Sequence, residues 1–473
     1  SDVYKRQLLP LSPTGYGDSP YQSCSAFAGN PYFVDLEALE KEGLLTAADL
    51  KAESWGKDPL EVDYGALYVS RFAVLRKAYA AWRSQCAGLH GCAYYYPDDY
   101  YTFTLANEDW LEDYALYMAL KVANKMKNWV EWDAPYRRRD KAVLAAFAAA
   151  NEEEIGFWKF VQYKFSVQWQ AVKTYANKKG VQILGDIPIY VSADSVDAWV
   201  GGKLFELDAD GRFARVAGCP PDYFSADGQL WGNPVYNWSA HARTEYRWWV
   251  ARLRHALYWF DALRLDHFRG FAAYYSVPAR AKNARDGCWL PGPGLSLFSA
   301  LQQALGDVPL LAEDLGFLDD TVRALLSDCG FPGMQVLQFD FDSRDCGGGA
   351  VCKPNTVIYT GTHDNDTLLG WCTTAPRQDI RRACAAYGVR YPNQLPRQMM
   401  LSALRSPVNT CILTVQDLLE LGSSARINTP STVGAHNWSW RMRPGALTPG
   451  ILAHLYTETC AADRAERSNI CRI

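Results

Sequence analysis

Asp261-Ala262-Leu263-Arg264-Leu265-Asp266-His267-Phe268-Arg269-Gly270 is a short apolar run that ends in charged and aromatic residues. On a strand its side chains alternate, so Arg264 and Asp266 share one face while Leu263 and Leu265 occupy the other. Strands of this kind are expected at 181–188, 262–266, 308–313, 335–341 and 356–362, each followed by a longer helical pattern. That repetition predicts βα units and a parallel sheet, an α/β fold. Strand candidates at 8–11 and 424–428 add one before and one after, seven in all.

The strand ends carry the chemistry. A guanidinium beside a carboxylate favours the ionised form, so Arg264 next to Asp266 suits a carboxylate nucleophile. A purely structural ion pair at a strand end is the plainer alternative. Pro309-Leu310-Leu311-Ala312-Glu313-Asp314-Leu315-Gly316 closes its apolar run on two acids. A carboxyl emerging from apolar surroundings can keep its proton near neutrality, the role expected of Glu313, while Asp314 is expected to cap the next helix. Tyr359-Thr360-Gly361-Thr362-His363-Asp364-Asn365-Asp366-Thr367 ends a further run in a polar cluster. Metal ligation is one reading of it, disfavoured because no second His lies nearby. Leu184-Gly185-Asp186-Ile187-Pro188 supplies another acid. The C-terminal strand ends of an α/β barrel form its active site, so Asp186, Asp266, Glu313 and Asp364 would converge in one cup. One ionised and one protonated carboxyl are the minimal equipment of glycoside chemistry.

Composition agrees with a neutral substrate. The 473 residues are 49% hydrophobic and 21% charged, with 48 Lys+Arg against 52 Asp+Glu for a net charge of −4. A chain so balanced does not suit nucleic acid or an anionic membrane surface, where neutralising negative charge dominates binding. No run approaches the roughly 18 apolar residues of a membrane span, and the start has no signal-peptide pattern; a cytoplasmic location is expected. The 13 cysteines show neither zinc spacing nor a disulfide framework. Aromatics reach 14%, with 17 Trp and 28 Tyr, a heavy load of flat amphipathic surfaces.

Along the chain, residues 1–7 have an unrelated polar character and are set aside as a non-native scar. Residues 8–40 start the barrel, and 41–150 form an inserted helical subdomain. Residues 151–195 return to the barrel, where the aromatic spacing from Glu152 to Lys178 predicts a helix buried on more than one face. Residues 196–240 read as a long inserted loop with little regular pattern, and 241–473 complete the barrel with a C-terminal helix.

These motifs resemble the amylomaltase family, the 4-α-glucanotransferases or disproportionating enzymes of the α-amylase clan (glycoside hydrolase family 77). The likeness runs from Leu8 to about Met442. Leu9-Pro10-Leu11-Ser12-Pro13-Thr14-Gly15-Tyr16-Gly17-Asp18-Ser19-Pro20-Tyr21-Gln22 is similar to the family's second barrel strand and donor-side loop. Trp110-Leu111-Glu112-Asp113-Tyr114-Ala115 matches its helical insertion, 220–234 its loop over the acceptor side, and Arg426-Ile427-Asn428-Thr429-Pro430 its closing segment.

The resemblance implies a TIM (β/α)8-type barrel with large helical insertions. It implies Asp266 as nucleophile, Glu313 as general acid/base and Asp364 as transition-state stabiliser. Tyr21, Asp186, Gln229, Trp231, Arg264, His267 and His363 are the implied substrate-binding residues. The implied reaction moves α-1,4-glucan segments to another glucan or to glucose, with retention, no cofactor and no metal. The carboxyls would then stand roughly 5–5.5 Å apart. Tyr223, Phe224 and Trp231 could stack on glucose rings and exclude water. The family's first βα unit has no counterpart before Leu8, and a seven-stranded barrel is expected to expose two open edges and to be poorly stable or inactive. A hydrolase using the same acids and a non-catalytic glucan-binding protein are the competing readings. Oligomeric state is left open.

Overall fold

The computed structural model describes residues 4–87, 96–208, 211–221, 226–316, 318–343, 353–434 and 436–465. Eleven strands occur among them: β1 (Tyr4–Gln7), β2 (Val181–Ile187), β3 (Arg215–Cys219), β4 (Gln229–Pro234), β5 (Ala262–Leu265), β6 (Ala273–Pro278), β7 (Cys288–Pro291), β8 (Leu310–Ala312), β9 (Gly333–Val336), β10 (Thr356–Tyr359) and β11 (Thr410–Ile412). Two ladders are parallel, in the orders β1-β2-β5-β8 and β9-β10-β11. A bond from Ala312 N–H to the Pro332 carbonyl at 2.9 Å links them at β8 and β9. Helices such as Arg247–Trp259, Leu295–Leu305, Asp320–Cys329 and Leu395–Arg405 connect successive strands. The predicted α/β alternation is therefore present.

The first strand lies where the sequence set residues aside. Tyr4–Gln7 pairs in parallel with β2, Tyr4 opposite Val181 and Gln7 opposite Leu184. Its polar side chains are accommodated at the ladder's rim, where Lys5 Nζ donates to Gln182 Oε1. The run 8–11 is not a strand: Leu8 N–H still bonds Leu184 O, but Pro10 has no N–H with which to continue. The last strand is Thr410–Ile412, which the sequence reading missed because three residues carry no periodicity. Residues 424–428 instead hold the 3-10 turn Ser423–Ala425 and extended chain. The run 335–341 also divides, into β9 and the 3-10 turn Phe339–Phe341.

The region 192–238 is more regular than its sequence suggests. It contributes helix Val196–Gly201 and strands β3 and β4, which join β6 and β7 in an antiparallel sheet ordered β4-β3-β6-β7. Between β1 and β2 the chain is helical, ending in the long helix Glu152–Lys178. Phe157, Trp158 and every residue from Phe160 to Ser166 are buried, so the middle of that helix is covered on more than one face, as predicted. It is fixed to the loop after β1 by a reciprocal pair: Gln162 Oε1 accepts from Gly29 N–H at 2.7 Å, and Gln162 Nε2 donates to Gly29 O at 2.9 Å. No helix among the described residues is long and apolar enough to cross a membrane.

Candidate active site

Parallel pairing places the C-terminal ends of β2, β5 and β8 side by side, and β10 lies one strand further on, beyond β9; Asp186, Asp266 and Glu313 sit at the first three ends and Asp364 in the loop that follows β10. Arg264 organises them. Its side chain is almost wholly buried, and one nitrogen, Nη1, reaches both oxygens of Asp186 at 2.8 and 2.9 Å and Asp266 Oδ1 at 2.9 Å. Burial pushes the Asp186 carboxyl upward against the pull of Arg264. Asp186 is closed off from solvent, while Asp266, sharing the same guanidinium, keeps about a quarter of its side chain exposed. The open partner is the one that a substrate can reach.

Glu313 follows β8 directly. Its Oε2 accepts the His267 N–H at 2.7 Å and its Oε1 the Leu315 N–H at 2.9 Å. His267 adopts a left-handed φ of 50°, which turns the chain after Asp266 so that this N–H points at the acid. Burial, opposed by Arg264 and assisted by the charge of Asp266, pushes the Glu313 pKa up to about 7. The two backbone bonds favour the ionised form and moderate that rise.

The third acid has the opposite environment. Burial acts to raise the Asp364 pKa, but His363 and Asn428 outweigh it and hold it down at about 2. His363 Nε2 lies 3.4 Å from Asp364 Oδ1, and Asn428 Nδ2 donates to the same oxygen at 2.6 Å. His363 is in turn raised: burial acts to lower it, and Asp364 prevails. Tyr21 completes the wall, donating its hydroxyl proton to Asp186 Oδ2 at 2.8 Å and stacking on His363 with ring centroids 4.9 Å apart.

On the other side, β4 presents Gln229 and Trp231 on one face, Trp231 Nε1 donating to Gln229 Oε1 at 3.1 Å. Trp231 meets the His267 ring edge-on at 4.9 Å. Burial pushes His267 down to about 4, so its imidazole is neutral at pH 7. Tyr223 and Phe224 lie outside the described residues.

The sequence profile of the 4-alpha-glucanotransferases (glycoside hydrolase family 77) matches residues 3–448. The chain belongs to this family. A 4-alpha-glucanotransferase of Streptococcus pneumoniae is 43% identical over 94% of the chain and 87% of its own length. One from Thermus thermophilus is 42% identical over 97% and 91%. The structure of an amylomaltase from Streptococcus agalactiae in complex with acarbose superposes with a TM-score of 0.92, at 38% identity, covering 98% of this chain and 93% of that one.

Several residues of the site escaped sequence reasoning. Asn428 and Arg426 lie in the quoted closing segment, but nothing local shows that Asn428 bonds the Asp364 carboxylate or that Arg426 holds the Asp364 carbonyl at 2.6 Å. Trp438, 5.8 Å from the Tyr21 ring and 5.7 Å from His363, comes from an irregular segment without periodicity. Asp314 does not cap a helix. Its carboxylate accepts the Met334 N–H at 2.6 Å, and Asp319 caps helix Asp320–Cys329 instead. The acid follows Glu313 too closely to reach a helix that starts several residues later.

Proposed function

We propose that this chain transfers α-1,4-glucan segments to the 4-hydroxyl of another glucan or of glucose, by double displacement through a covalent glycosyl-enzyme. The observation that carries the reading is the opposed state of two neighbouring carboxyls: Asp266 bonded to a buried guanidinium, and Glu313 pushed up to about 7. An Asp266 oxygen attacks the anomeric carbon while the glycosidic bond breaks, and the Glu313 proton passes to the departing oxygen. Esterification removes the charge of Asp266, one of the causes that raise Glu313, so the proton affinity of Glu313 falls and the glutamate stays ionised once its proton has left. It then takes the proton of an incoming 4-hydroxyl as that oxygen attacks the anomeric carbon and frees Asp266. The configuration is retained because two inversions cancel.

Asp364, ionised throughout, faces the positive charge that develops on the sugar ring. Arg264, Tyr21, His363, Gln229, Trp231 and His267 line the substrate's position, with closed-off Asp186 acting through Arg264 and Tyr21. The family's architecture supports reading the two parallel ladders as the wall of one TIM-type barrel. Incubation with maltotriose tests the activity. Transfer yields glucose together with longer maltooligosaccharides; a product set containing only shorter sugars would establish hydrolysis instead. Asp266→Asn should abolish turnover while leaving glucan affinity; turnover that survives the substitution would overturn the nucleophile role, and a parent chain that binds glucan without turning it over would be a binding protein.

A further inference from the structure

Strand β9 carries none of the four acids, yet one of its side chains reaches the charge network. Met334 is buried with Leu184, Leu311, Val336, Val357 and Tyr359. Its sulfur lies 3.4 Å from Arg264 Nε and accepts that N–H. The same guanidinium offers Nη1 to Asp186 and Asp266, so its plane is fixed by a thioether at one position and carboxylates at another. The backbone of Met334 is held as well, its N–H donating to Asp314 Oδ1. Asp314 comes this close because residue 333 is glycine: a Cβ there would stand 2.5 Å from Asp314 Oδ2. Met334 therefore contacts both the arginine that holds Asp266 and the residue that follows Glu313.

We propose that Met334 is a positioning residue of the transfer site: its thioether orients Arg264 toward Asp266, and its N–H fixes the chain that presents Glu313. The inference rests on the reading of Asp266 as nucleophile. A hydrocarbon of similar shape would fill the space but leave a buried Nε–H without an acceptor. The guanidinium then turns to regain a partner, and the bond to Asp266 lengthens.

Two variants isolate the acceptor from the packing. Met334→Leu conserves volume and removes the sulfur. It should lower kcat on maltotriose about fivefold while KM and the thermal midpoint stay near those of the parent. Met334→Gln returns an oxygen acceptor and should restore kcat to within about twofold of the parent. An unchanged kcat in the leucine variant overturns the proposal, and so does an equal loss in both variants, which would show that shape alone matters. Asp266→Asn, assayed in parallel, separates the two layers. If it still turns over, the nucleophile assignment fails and the inference falls with it; if it is dead while Met334→Leu is fully active, only the positioning role fails.

Discussion

Glu313 meets two demands that conflict. Burial and the charge of Asp266 make its proton hard to lose, whereas the His267 and Leu315 N–H groups stabilise the carboxylate. In the proposed reaction that balance near pH 7 would let one residue act as acid and then as base. Protonated Glu313 is required to start the reaction, so kcat/KM should fall as pH rises through about 7, and a pH profile on maltotriose checks this. The same shift bears on stability. A carboxyl whose folded pKa exceeds its unfolded value of about 4.3 contributes stability below that value, and the contribution is lost as pH rises through about 7. Glu313→Gln should therefore abolish transfer and raise the thermal midpoint more at pH 8 than at pH 5. Equal gains at both pH values would contradict the assignment. The apolar run ending on Glu313 made a carboxyl with a raised pKa legible in the sequence; the two N–H groups that limit that rise come from folded geometry and were not.

At the scale of elements, the proposed reaction makes strand β4 the part of the site that governs what meets the glycosyl-enzyme. The hairpin of β3 and β4 holds Trp231 half-buried and edge-on to His267, with Gln229 bonded to the indole N–H. Removing the ring opens space for water beside the acceptor. Trp231→Ala should raise the ratio of hydrolysis to transfer on maltotriose, and an unchanged ratio of glucose to longer products would remove this role. The aromatic load of this region was visible in the sequence. Its regular structure was not, because the glycines and prolines that mark loops also punctuate hairpins, and β4 gains its partners only through β3, β6 and β7. Tyr4–Gln7 shows the converse: a polar stretch with no strand pattern of its own becomes a strand because β2 offers it a parallel edge.

The whole molecule is held together by contacts between segments far apart in the chain. Gln162 satisfies both backbone groups of Gly29, and Lys121 bonds Asp194 at 2.6 Å, tying the helical insertion to the loops around the site. Gln162→Ala leaves a buried N–H and C=O unpaired and should cost about 2–5 kcal/mol. Urea denaturation would read this as a lowered midpoint with unchanged slope. The edges of β1 and β11 pair with no other strand among the described residues, but Tyr359 on β10 donates its hydroxyl to Gln7 on β1 at 2.8 Å across the interior. By itself the sequence determined the α/β alternation, the long buried helix and which strands end in carboxylates, because strand and helix periodicities and strand-end acids are local signals. Only the tertiary structure decided that one Arg264 nitrogen serves two aspartates, that Asp314 turns to Met334 rather than to a helix, and that Asn428 completes Asp364. Those are pairings between residues on different elements, and no periodicity within one element encodes which distant group will arrive beside it.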